Sequence, residues 1–150
     1  MNVLSRLPLS PLGWAALGAV ALGVAVLLWP RGEASFACPL DRALTLPSGQ
    51  AAALCEVVPE PQPFTGATWL VLRVVAPDLP PADADGTHGD QDWICSEIGL
   101  TRAEALARPP ERIVVQLMTA PFLRGEAAPG IRQAIEAYTI ATGSCMWELL

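Results

Sequence analysis

The chain has 150 residues, 52% of them hydrophobic and only 16% charged, with a formal net charge of −6. Such a composition excludes an intrinsically disordered chain, and an acidic balance without a basic patch argues against nucleic-acid binding. All 9 basic residues are arginine and there is 1 histidine, which excludes a phosphate-loop or Schiff-base lysine and any multi-histidine metal centre.

The first element is Leu12–Trp29, a run without a charged side chain. At 1.5 Å rise per residue it is just long enough to cross a hydrocarbon core. Arg6 precedes it and no acid does, so the positive-inside rule keeps the N-terminus in the cytoplasm and sends the rest outward. The same run also reads as a long signal peptide, with a small-x-small cleavage pattern at Ser35-Phe36-Ala37. The expected organisation is therefore an N-terminal anchor or signal over 1–37 and a periplasmic domain over 38–150. Residues 12–29 would sit in the inner membrane if retained; if cleaved, the domain would be soluble in the periplasm.

Cys38, Cys55, Cys95 and Cys145 all follow the apolar run. An even set of cysteines in an oxidising compartment makes two disulfides, with three connectivities open, while four buried thiols remain the alternative. No pair has C-x-x-C spacing, so zinc-ribbon and thioredoxin-like motifs are absent.

Ala43–Leu46 is expected to be a short strand, Pro47-Ser48-Gly49-Gln50 a turn and Ala51–Val58 the returning strand. Pro59, Pro61 and Pro63 should then break regular structure. Ala67–Ala76 is the strongest strand, apolar on both faces apart from Arg73 and therefore central. Residues 77–92 read as a loop. A helix is expected from Asp90 or Asp92 to about Ile98, with Gly99 as its stop and a further turn opened by Thr101. Ile113–Met118 is another buried strand. Ala134–Ile140 and Cys145–Leu149 read as a terminal hairpin around Ala141-Thr142-Gly143-Ser144, with a helix over 130–141 as the competing reading. The expected fold is α+β: an antiparallel-rich sheet of four to six strands with one or two short helices on one face.

Candidate chemistry is sparse. Asp83, Asp85, Asp90 and Asp92, in the loop over 83–92, are weak calcium candidates, because their order fails the EF-hand register. A solvated loop capping the next helix is the plainer reading. His88 and Cys95 are the one base-and-nucleophile combination to weigh, and no third group or flanking motif accompanies them. Glu97, Glu136 and Glu148 read as solvated carboxylates, and Trp69, Trp93 and Trp147 as core. No catalytic residue and no cofactor is expected.

Pro47-Ser48-Gly49-Gln50, Arg73 with Ala76-Pro77, Trp93 and Cys95, and above all Glu136-Ala137-Tyr138 followed by Gly143, Cys145, Trp147 and Glu148, carry a resemblance. The chain resembles an uncharacterised alphaproteobacterial family of exported proteins from the Rhodobacterales group, over roughly residues 46–150. Some members carry the label acetolactate synthase. That activity uses thiamine diphosphate and a metal on far longer chains, and this chain has no diphosphate-binding motif. The resemblance transfers no site residue. It does imply that Cys95 and Cys145, which belong to the shared pattern, bond together and leave Cys38 with Cys55. The functional expectation is a non-catalytic, membrane-anchored or exported envelope protein that binds or supports another envelope component. The alternative is a periplasmic enzyme or small-ligand or calcium-binding module built on loop 83–92.

Overall fold

The computed structural model describes residues 36–81 and 86–148. They form a mixed sheet of six strands in sequential order, with helical turns packed on one face. Strand β1 (Arg42–Thr45) pairs antiparallel with β2 (Ala51–Pro61), and β2 with β3 (Thr68–Val75). Strand β4 (Arg112–Met118) lies parallel to β3. Strands β5 (Gln133–Ala141) and β6 (Ser144–Glu148) continue antiparallel. The antiparallel-rich α+β expectation holds at that level, but the β3–β4 pair makes the sheet mixed. A parallel neighbour needs a long crossover. Here the crossover holds helix α1 (Thr87–Ile94), a π-helical turn over Cys95–Gly99 and helix α2 (Leu100–Glu104).

The apolar segment 12–29, and with it nearly all of the expected unit 1–37, lies outside the described residues. Among the described residues no helix is long and apolar enough to cross a membrane.

The period of two in the central strands sorts their side chains. Leu70, Leu72 and Val74 of β3 join Ile113, Val115, Leu117 and Tyr138 in a core with Ile94, Cys95 and Ile98 of the crossover. Val71, Val114 and Ala137 form a smaller cluster on the opposite face, with Val58 and Trp69 against it. A strand flanked on both edges and covered on both faces reads as a continuous apolar run, which is why β3 and β4 are legible from sequence.

Three local expectations are corrected. Pro59 and Pro61 do not break β2 but belong to it, opposite Leu70 and Thr68. β1 pairs only as far as Leu54 and Leu40 N donates to the Cys55 carbonyl; beyond Cys55 the outer edge of β2 has no strand partner among the described residues, and prolines two residues apart put their missing N–H groups on that edge. The helix begins at Thr87, before Asp90 or Asp92. Gly99 is not its stop but sits inside the helical run. A Cβ there would lie 3.0 Å from Ile113 Cγ2, so glycine lets the helix approach β4 closely. The terminal hairpin is present, its two-residue loop formed by Thr142 and Gly143 at φ 50 and 75. Those positive values suit the primed turns that match strand twist.

The disulfides are Cys38–Cys55 and Cys95–Cys145, the pairing the resemblance implies. The first ties the segment before β1 to β2. The second ties the π-helical turn to β6, an edge strand.

Candidate functional site

Polar groups gather where the start of α1 meets β5 and β6. His88 and Asp92 are four residues apart on α1 and share one face of it. His88 Nε2 lies 3.4 Å from Asp92 Oδ2. Strand β5 turns Ala134, Glu136, Tyr138 and Ile140 towards the helix side, so Glu136 is the one charged residue of that row. Its Oε2 lies 2.9 Å from His88 Nδ1 and accepts a hydrogen bond from Tyr138 Oη at 2.7 Å. The Trp147 ring of β6 stands edge-on to the imidazole, with centroids 4.9 Å apart. Tyr138 is fully buried, Glu136 is partly buried, and His88 is half exposed.

The electrostatics follow from these contacts. The hydrogen bond to Glu136 raises the His88 pKa above its ordinary value, against a small loss of hydration, with the charges of Glu136 and Asp92 adding to the rise. Burial, and then the bond to Glu136, push the Tyr138 hydroxyl far up, so it remains a phenol that donates. Histidine and two carboxylates are thus held with their donor atoms within 4.8 Å of one another.

Beside the cluster lies a cleft of about 520 Å³, whose walls include Pro80, Thr87, Gln91, Arg132, Ile135 and Glu136. Gln91 is fully buried. Its Nε2 donates to the Val115 carbonyl at 3.2 Å, and its Oε1 has no partner among the described residues. Arg132 is held at the rim by donating from Nη2 to the Leu79 carbonyl at 2.7 Å.

The residues singled out in the sequence divide. Asp83 and Asp85 lie outside the described residues. Asp90 is 2% exposed and serves a different end: its carboxylate accepts from Ser48 N at 2.9 Å and Ser48 Oγ at 2.7 Å, tying the β1–β2 turn to the helix. Only Asp92 joins the cluster, alongside His88 and Glu136. Cys95 is spent in its disulfide, so it offers His88 no thiol. Glu97 is exposed, and Glu148 pairs with Arg112 at 3.0 Å. Trp147, expected in the core, is 48% exposed, because β6 is an edge strand and its inner side overhangs the helix start. Tyr138 enters the sequence reading only through the family resemblance, with no role in a site. The signal was the row of alternate residues 134, 136, 138 and 140, in which a lone Glu on an otherwise apolar face calls for a partner.

No curated protein and no solved structure matches the chain. One family model does match, over residues 27–150, which is most of the chain, and it includes every residue of the cluster and both disulfides; the chain belongs to the family of unknown function DUF6497.

Proposed function

We propose that this chain is an exported protein of the bacterial envelope, anchored in the inner membrane by residues 12–29, and that its periplasmic domain binds or supports another envelope component rather than catalysing a reaction. The alphaproteobacterial, Rhodobacterales character of the resemblance belongs to this reading. The observation that carries it is the use of cysteine: Cys38–Cys55 and Cys95–Cys145 account for all four. Structural disulfides form and persist outside the reducing cytosol, so a domain built around two of them fits an exported chain. The loss of the Cys95 thiol to a disulfide also removes the one nucleophile considered beside His88.

The test is fractionation of cells producing the full chain, followed by non-reducing peptide mapping. The expected result is an inner-membrane protein whose mature domain carries both disulfides and which retains a stoichiometric partner after mild solubilisation. Free thiols at all four positions would overturn the exported location. Failure to retain any partner would overturn the supporting role.

A second reading, a periplasmic module for a small ligand, is favoured by the cleft between the start of α1 and β5. Equilibrium dialysis against pools of small anionic and neutral metabolites tests it, with a Glu136→Gln variant as the comparison.

A further inference from the structure

We propose that His88, Asp92 and Glu136 form a binding site for a single divalent transition metal ion, with Zn²⁺ the expected occupant, and that a coordination position left free by the protein is completed from the adjoining cleft. The inference is independent of where the protein resides and of which partner it meets.

The donor set selects the class of ion. Calcium and magnesium take oxygen ligands, whereas an imidazole among carboxylates suits zinc and its neighbours in the first transition row. Placement is favourable as well. His88 and Asp92 come from one turn of α1 and Glu136 from the facing strand, so the ligands belong to two rigid elements of the fold. Donor atoms lie within 4.8 Å of one another. Tetrahedral zinc with bonds of about 2.1 Å needs donors roughly 3.4 Å apart, so modest side-chain rotations bring the three onto one ion. His88 already makes contacts of 2.9 Å to Glu136 and 3.4 Å to Asp92, one from each ring nitrogen. The ion would take one of those nitrogens and relieve the repulsion between the two carboxylates.

The surroundings resemble those of a supported metal ligand. Tyr138 Oη donates to Glu136 Oε2 at 2.7 Å, an outer hydrogen bond of the kind that orients a ligating carboxylate. Trp147 borders His88, and the Cys95–Cys145 disulfide holds the strand that carries Trp147 against the helix. A separate observation points to an occupant of the cleft. Gln91 is fully buried and lines the same cleft as Glu136, yet its Oε1 has no donor among the described residues. A buried acceptor of this kind is costly unless a donor reaches it. A donor group on a molecule that enters the cleft would supply one. Three protein ligands with a position left open is also the arrangement zinc adopts where it binds exogenous molecules.

The experiment uses the full chain, purified in detergent, stripped with a chelator and titrated with Zn²⁺ against a chromophoric competitor. Cobalt(II) serves as a spectroscopic probe of the ligand field. One equivalent of Zn²⁺ is expected to bind. His88→Ala and Glu136→Gln should each weaken binding by more than the ~10-fold expected for loss of an outer hydrogen bond, and Tyr138→Phe should show that ~10-fold loss. Glu97→Gln, at an exposed residue outside the ligand set, should leave binding unchanged. Near-ultraviolet circular dichroism and disulfide mapping confirm that each variant is folded. No binding at Zn²⁺ concentrations far above that of the protein would overturn the proposal. So would a folded His88→Ala protein that binds as the parent does, or Ca²⁺ that competes with Zn²⁺ on equal terms.

Discussion

Two polar clusters sit on opposite faces of the sheet, and they are built to different ends. On the face away from the helix, Arg73 is fully buried in the middle of β3. Its Nε donates to Gln116 Oε1 at 3.0 Å, Nη1 pairs with Glu56, and Nη2 reaches the Phe122 carbonyl at 2.7 Å and Met118 Sδ at 3.5 Å. The Phe122 and Phe36 rings lie over the guanidinium, with centroids 4.6 and 5.7 Å from Cζ. Gln116 passes the row on to Gln133 at 2.7 Å. The guanidinium is enclosed by donors' partners and aromatic faces, as a buried charge requires. The cluster around His88 is the reverse: half exposed, two carboxylates to one imidazole, bordered by a cleft. A cluster whose polar groups satisfy one another holds a fold together; one left open and unbalanced in charge has capacity for a ligand.

Replacing Arg73 should do the most damage. Arg73→Met leaves Glu56 without its cation and Gln116 Oε1 without its donor, and the expected loss is about 3–5 kcal/mol in urea unfolding. Adding Glu56→Gln should restore part of it. If Arg73→Met cost no more than a surface change, the enclosed cluster would not be structural and the contrast would fail.

The disulfides come next. Removing Cys95–Cys145, whose partners are 50 positions apart, should cost roughly 4 kcal/mol in the chain-entropy account, against roughly 3 kcal/mol for Cys38–Cys55 at a separation of 17. Double Cys→Ala variants under equilibrium unfolding measure both. The sharper result concerns location: loss of Cys95–Cys145 should speed hydrogen exchange in β6 and at the start of α1, beside His88, and leave β1 protected. Uniform exchange across the sheet would show that the staple does not support the open cluster.

In the metal-free protein, His88→Ala and Glu136→Gln should each change stability by less than about 1 kcal/mol, since the pair is half exposed at His88 and a glutamine at 136 can still accept from Tyr138. A loss approaching that of Arg73→Met would place the two clusters in one structural class. The smallest effect is expected at Arg124, which donates to both Glu60 oxygens, at 2.9 and 2.6 Å, in a pair about one-third exposed. Arg124→Ala should cost no more than ~1 kcal/mol near neutral pH. The Arg124 hydrogen bond lowers the Glu60 pKa below its ordinary 4.5. A lowered carboxyl stabilises the fold above its unfolded pKa and loses that contribution as pH falls through the folded one. The stability gap between parent and Arg124→Ala should therefore persist at pH 7 and close only below pH 4.5; a gap that grew on acidification would refute the assignment.

How these clusters form also explains why one half of the molecule was readable and the other was not. β3 and β4 announce themselves as apolar, β-branched runs, and the hairpin by Thr142-Gly143 between alternating segments. The pairing of Glu56 with Arg73 does not. The β2–β3 register shifts between Leu54 and Glu56, so Leu54 and Val57 share the helix face while Glu56 falls opposite Arg73. A bulge of this sort adds one residue to the count and inverts every later assignment of face, and no alternation in the sequence reveals it. Gly99 misleads for a related reason: glycine ends helices in isolation, but here it answers to Ile113 on a strand that arrives later in the chain.

Local chemistry, then, determined the elements, the sheet's central strands, the absence of lysine chemistry and the supply of four cysteines for two bonds. These follow from residues acting on their immediate neighbours, through turn preference, strand period and composition. Tertiary structure alone decided that β3 and β4 run parallel, that Asp90 serves Ser48, and that Glu136 and Tyr138 meet the helix start. Those outcomes depend on contacts across 42 to 48 positions of chain, where register and crossover geometry, rather than residue type, choose which side chains touch.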